Sequence, residues 1–238
     1  MLASRGTLVL GMVTKHGAYL AADSRGTNPK TDEAQKLFQF GEHAFAAILG
    51  TLSARAEKQS LRKRPLYTGT IDLTEILHHA SVGYTDGTDL ISYIANHVHT
   101  PLKAYWDFLT PSAKAVSDSQ DGSVCVCTIP IIQNSGGIVI VSETHFNFAP
   151  NGNLTEPTTR VRFDSRTKTT EVAYTWGQCP ENTGIDFEPD TPSAALVTIS
   201  TLFARAKSSF PNTVGGPVDI GLVDSSGCWW ISRKGNFE

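Results

Sequence analysis

Gly6-Thr7 heads the apolar, β-rich run Leu8-Val9-Leu10-Gly11-Met12-Val13, and that dipeptide is where the sequence could do chemistry. A single cut after Gly6 would give Thr7 a free α-amine. Threonine's hydroxyl is a weak nucleophile until a base takes its proton. An α-amine with a pKa of about 8 can be that base at neutral pH. The chemistry implied is hydrolysis by an N-terminal threonine that first frees itself. A second stretch, Leu20-Ala21-Ala22-Asp23-Ser24-Arg25, follows closely and sets a carboxylate and a guanidinium at the end of another apolar run.

The elements that must position these residues read as strands. Residues 8–13 and 18–22 form a predicted hairpin around Lys15-His16-Gly17, and their lack of apolar/polar alternation predicts strands covered on both faces. A second pair, 36–40 and 44–49, turns at Gly41-Glu42-His43. Gly50-Thr51 then opens a predicted helix over 52–63, stopped by Pro65. Asp72 with Glu75 resembles a capping box for a second helix, and a third starts at about Thr88 with Pro101 near its end or at a kink. From Ser123 the pattern returns to β. Asp190-Thr191-Pro192 begins a further helix, with a capping residue before proline at the first helical position. Strands at 218–223 and 228–232 close the chain around Ser225-Ser226-Gly227.

Composition narrows the classes. The chain has 238 residues, 40% hydrophobic and 18% charged, enough for one domain with a sizeable core. A net charge of −3 offers no basic footprint for nucleic acid, and the cluster Lys58, Arg62, Lys63 and Arg64 reads as a solvated helix face. No apolar run approaches the roughly 20 residues of a membrane span, so a cytoplasmic protein without membrane partners is expected. Of the four cysteines only Cys125 and Cys127 are close; buried free thiols are the expectation. His78-His79 and the His97, His99 pair lack the helical spacing that lets two imidazoles converge on a metal.

In this order, these residues resemble the proteasome β-type subunit family of N-terminal nucleophile hydrolases, bacterial proteasome-like homologues included. The resemblance is strongest over residues 6–50 and returns more weakly at 213–231. It implies an α+β fold, a four-layer αββα sandwich of two antiparallel sheets flanked by helices. Residues 1–6 would be a short propeptide-like segment and 7–238 a single domain. Thr7 falls on the family's nucleophile, Asp23 on the aspartate of its Ala-Ala-Asp-Ser-Arg motif, and Lys36 on the lysine beside the nucleophile. Gly50 falls on the glycine whose backbone N–H forms the oxyanion hole, and one shortening of the 28–35 loop brings Lys36 and Gly50 into register together. Thr27 falls on the residue that bonds substrate main chain, while Gly26, Ala34, Ile48 and Leu52 would shape an apolar pocket.

The implied function is a threonine-type peptidase subunit that cleaves peptides or unfolded protein, without a cofactor or metal, in a ring or double ring of like subunits. Two departures stand against it. Active members carry a serine in a Gly-Ser-Gly turn and an Asp-x-x-Ser-Gly motif. Here the turns are Trp176-Gly177-Gln178-Cys179 and Pro211-Asn212-Thr213-Val214-Gly215-Gly216. The alternative is a catalytically inactive structural ring subunit with the same fold.

Overall fold

Strands β1 (Leu8–Thr14) and β2 (Gly17–Asp23) are buried at every position except Gly17, as continuous apolar runs demand. Residues 7–27, 30–50, 53–59, 65–108, 124–148, 153–168, 172–180, 189–233 and 236–237 are described by this computed structural model. Short pairs follow β2, namely β3 (Gly26–Thr27) with β4 (Lys30–Thr31), then β5 (Leu37–Phe40) with β6 (Ala44–Ala47). Next come β7 (Leu49–Gly50), β8 (Ser53–Gln59) and β9 (Pro65–Asp72), then helices α1 (Leu73–Gly83) and α2 (Leu90–Phe108). After these lie β10 (Val124–Ser135), β11 (Ile138–Phe148), β12 (Thr158–Asp164), β13 (Val172–Gly177), α3 (Pro192–Ser209), β14 (Val218–Asp224), β15 (Gly227–Arg233) and β16 (Asn236–Phe237).

Two six-stranded antiparallel sheets result. One runs β13-β1-β2-β14-β15-β16, the other β12-β11-β10-β6-β5, with β7 added on β10. Val9, Leu20, Phe45, Ile132, Val141 and Trp176 fill the space between the sheets. Phe45 lies flat on Gly221, where any Cβ would come within 2.7 Å of its ring, and meets Trp230 edge-on with centroids 4.9 Å apart. Trp230 therefore faces the core, and its neighbour Trp229 is half exposed. α1 and α2 cover Phe38, Ile48 and Ile131, while α3 covers Leu10, Tyr19 and Ile220.

The expected four-layer αββα sandwich is corrected here. Among the described residues the strands far outnumber the three helices, so paired antiparallel sheets, rather than helical layers, define the fold. Residues 52–63 show the reason. Their helix formers predicted a helix, yet 53–59 is strand β8, paired with β9 from Ser53↔Asp72 to Gln59↔Pro65. Propensity is a weak preference, and a β-rich partner, Tyr67-Thr68-Gly69-Thr70-Ile71, overrides it. Pro65 opens β9 instead of ending a helix.

The other helix signals act locally. The Asp72 side chain accepts from the N–H groups of Thr74 and Glu75, capping α1. Thr191 likewise accepts from Ala194, with proline next to it. Pro101 sits inside α2 rather than at its end. The pairing of β10 with β11 shifts register between Cys125 and Cys127, a bulge in the backbone. Among the described residues, no helix is long and apolar enough to cross a membrane.

Candidate functional site

The register of the first hairpin, Val9↔Ala22, brings the start of β1 beside the end of β2. Asp23 consequently reaches back along the strand pair, and its Oδ1 accepts from the Leu8 main-chain N–H at 3.1 Å. The same oxygen accepts from Lys36 Nζ at 3.0 Å, and Lys36 Nζ also donates to Thr7 Oγ1 at 2.9 Å. Asp23 Oδ2 accepts from the Gly215 N–H at 3.0 Å and the Arg25 N–H at 3.3 Å. The Asp23 and Lys36 side chains are wholly buried, and Thr7 is 4% exposed. A carboxylate this deep needs such a ring of donors, because an unpaired buried charge is costly.

Burial pulls the Lys36 ammonium below the ordinary lysine range, and the attraction of Asp23 opposes that shift without cancelling it. A lysine poised in this way gives up its proton more readily than one in water. Its backbone is fixed too, because its carbonyl accepts from the Ile48 N–H at 2.9 Å. Chemically the cluster can hold a hydroxyl oxygen beside a cation and return a proton to it.

A second set of contacts holds Thr7 by its main chain. The Gln178 N–H donates to the Thr7 carbonyl at 2.9 Å. The preceding Gly177 has φ +88, and a Cβ there would lie 1.9 Å from that carbonyl oxygen. Only glycine fits. Next to Asp23, Arg25 forks onto Asp32 through Nε at 2.5 Å and Nη2 at 2.7 Å, and its Nη1 donates to the Pro211 carbonyl. The Ser24 hydroxyl lies 2.8 Å from both the Asp32 and Pro217 carbonyl oxygens.

Other residues expected from the sequence are distributed around this centre. Gly50 lies in β7 opposite Cys127 and opens no helix. Its φ of +103 and the 2.7 Å between a Cβ there and the Val126 carbonyl oxygen give a reason for glycine that lies in the β10 backbone, not in room for a substrate. Gly26 and Thr27 form β3, and the Ala34 N–H donates to the Ser24 carbonyl at 2.9 Å. Ile48 is fully buried in the cluster beneath α1 and α2. Leu52 lies outside the described residues, as do residues 1–6.

Gly177 and Gly215 are the contributors that sequence reasoning passed over. Each stood in a turn already noted, but a glycine's closeness to another strand leaves no local signature. Thr213 and Gln178 meet directly, the Thr213 hydroxyl donating to Gln178 Oε1.

No protein-family model and no curated protein matches the chain. Solved structures similar to it include the Anbu Gly-1 mutant from Hyphomicrobium sp. strain MC1, 14% identical, covering 96% of this chain and 85% of that one with a TM-score of 0.49. Another is Anbu, described as an ancestral β-subunit, from Yersinia bercovieri, 16% identical, covering 95% and 87% with a TM-score of 0.48. These findings correct the expected membership of the proteasome β-type subunit family: the likeness is a loose one, to Anbu proteins, at an identity and score that assign neither family nor activity.

Proposed function

We propose that the chain is an N-terminal threonine hydrolase of peptide bonds, with Thr7 as nucleophile once residues 1–6 are removed. One observation carries this reading: Lys36 Nζ bonded at once to Thr7 Oγ1 and to a fully buried Asp23. In the proposed reaction the freed α-amine takes the hydroxyl proton as Oγ1 attacks the scissile carbonyl, then delivers it to the leaving amine. Lys36, oriented by Asp23, favours the alkoxide form of Thr7. The Gly50 N–H would stabilise the oxyanion, an interaction worth about 3 kcal/mol per donor in acyl-transfer enzymes.

Thr27 would bind substrate main chain, and Gly26, Ala34, Ile48 and Leu52 would form an uncharged pocket that prefers apolar or small residues. A fluorogenic peptide panel cleaved fastest after Arg or Glu would contradict that preference. Assembly with like subunits is part of the same proposal, tested by sedimentation velocity.

Intact mass is the decisive measurement. Loss of residues 1–6, abolished in Thr7→Ala, together with covalent labelling by a peptide epoxyketone, supports the enzyme. The second reading, an inactive structural subunit, draws on the lack of serine in the 176–179 turn and on Pro211 and Val214 in the expected aspartate and serine places of the second turn. An intact Met1 terminus in assembled, unlabelled protein would favour it.

A further inference from the structure

The dense positive cluster of the sequence falls on a hairpin that stands apart from both main sheets. β8 and β9 pair from Ser53↔Asp72 to Gln59↔Pro65 and form a two-stranded sheet of their own. At the usual rise of about 3.4 Å per residue, β8 spans about 20 Å. The base of the hairpin is tied in, where Ile71 enters the cluster beneath α1 and α2. A lone two-stranded hairpin is marginal in water, so this one needs a further surface to lie against. Residues 53–72 hold five lysines and arginines against two acids, while the rest of the chain holds fifteen against twenty-one. Three of the five, Arg62, Lys63 and Arg64, belong to the connection 60–64, which lies outside the described residues. The hairpin is a positive element on a negative body.

The body offers complementary chemistry at the other end of α1. A cavity of about 380 Å³ opens there between the α1–α2 connection and the turns of β5–β6 and β10–β11, with Phe40, Tyr84, Asp86, Asp89 and Asn134 in its lining. Phe40 and Tyr84 meet edge-on, centroids 5.9 Å apart. Glu42 is exposed close by, and its N–H donates to Asp86 Oδ2 at 3.3 Å. Among the described residues no lysine or arginine lines the cavity. Burial, and after it the Asp86 and Asp89 charges, push the Tyr84 phenol up, which marks a negative field. Carboxylates beside aromatic rings suit a guanidinium or an ammonium. No residue of β8 or β9 lines this cavity, and the hairpin meets α1 at Asp72 whereas the cavity begins at Tyr84, beyond the far end of the helix.

We infer that the β8–β9 hairpin of one copy docks in the acidic cavity of a second copy, a head-to-tail contact between two different faces of the same chain. The inference rests on the assembly of like subunits proposed above and adds which surfaces meet. The exposed edge strand β12 is a poorer seat for the hairpin, because Arg160 gives it the same sign of charge.

Sedimentation velocity of the full chain tests the contact with two variants. One reverses the hairpin connection (Arg62→Glu, Lys63→Glu, Arg64→Glu), the other two exposed positions at the cavity mouth (Glu42→Lys, Thr88→Lys). Each alone is expected to raise the dissociation constant of assembly about tenfold or more. An equal mixture is expected to recover it, since a reversed hairpin then meets a reversed cavity and a native hairpin a native one. Raising salt from about 0.05 M to about 0.5 M should weaken wild-type assembly by a similar factor. Assembly that ignores salt, or variants that assemble like the wild type, overturn the docking and leave assembly standing. Loss in both variants without recovery on mixing overturns the pairing of these two surfaces. A wild type that stays monomeric overturns the proposed assembly and the docking with it, while the hydrolase chemistry answers separately to the epoxyketone label.

Discussion

Asp23 ends β2 with its side chain wholly buried beside an equally buried Lys36, whereas Glu143, on β11, is buried against Trp176 of the other sheet. Glu143 Oε1 accepts from Arg162 Nη2 at 2.7 Å and from His145 Nε2 at 3.0 Å, and Oε2 accepts from the Trp176 indole N–H. His145 in turn lies 3.1 Å from the Thr128 hydroxyl through Nδ1. The partners differ in reach: the Arg162 and His145 side chains are 30% and 31% exposed, while the Lys36 side chain is wholly buried. Burial pushes the Glu143 carboxyl upward, but hydrogen bonds from Trp176, Arg162 and His145 outweigh it and hold the group below the usual carboxylate range. For Lys36 burial prevails. A buried ion with partners that reach water is held in its charged form and serves as a tie between β11 and β13. One enclosed with its counterion is held below its ordinary range by burial while the counterion opposes the shift.

The largest expected effect comes from breaking the enclosed pair. Lys36→Ala should lower kcat/KM by about 10³-fold, measured on fluorogenic peptides. It should also destabilise by about 3–5 kcal/mol in urea titrations, because the Asp23 charge stays buried without its cation. A nuclear magnetic resonance titration of Lys36 should give a midpoint below 10.5. Between that midpoint and 10.5 the unfolded chain still binds a proton that the folded one has lost, so this group makes stability rise with pH across the window. A midpoint above 10.5 would erase the contrast with Glu143.

Gly177→Ala ranks next. Its Cβ cannot coexist with the Thr7 carbonyl, so about 1–3 kcal/mol of stability and most activity should go together. Glu143→Gln should cost about 1–3 kcal/mol at pH 7 while kcat is retained, since the tie lies outside the proposed chemistry. A proportionate loss of kcat would merge the two regions into one. Because the Glu143 carboxyl is held low, its contribution should be complete above 4.5 and fade as pH falls through its folded value. His145→Gln is the mildest, about 0.2–1 kcal/mol, as befits a partner in contact with water.

Local signals were legible in the sequence: the hairpin of β1 and β2, the caps at Asp72 and Thr191, and the final hairpin of β14 and β15, whereas Thr7, Asp23 and Lys36 were grouped only through the family resemblance. Each depends on neighbours a few residues away or on residue type alone. Tertiary structure decided what those signals could not carry. It made 53–59 a strand because β9 was available to pair with it, and so turned an expected helix into one arm of a two-stranded sheet. It gave Gly50 a reason in the β10 backbone, and it brought the 210–216 turn against both Asp23 and Gln178. Contacts between residues as far apart as Asp23 and Gly215 depend on the whole packing of strands, and no local pattern in a chain encodes which distant backbone will arrive.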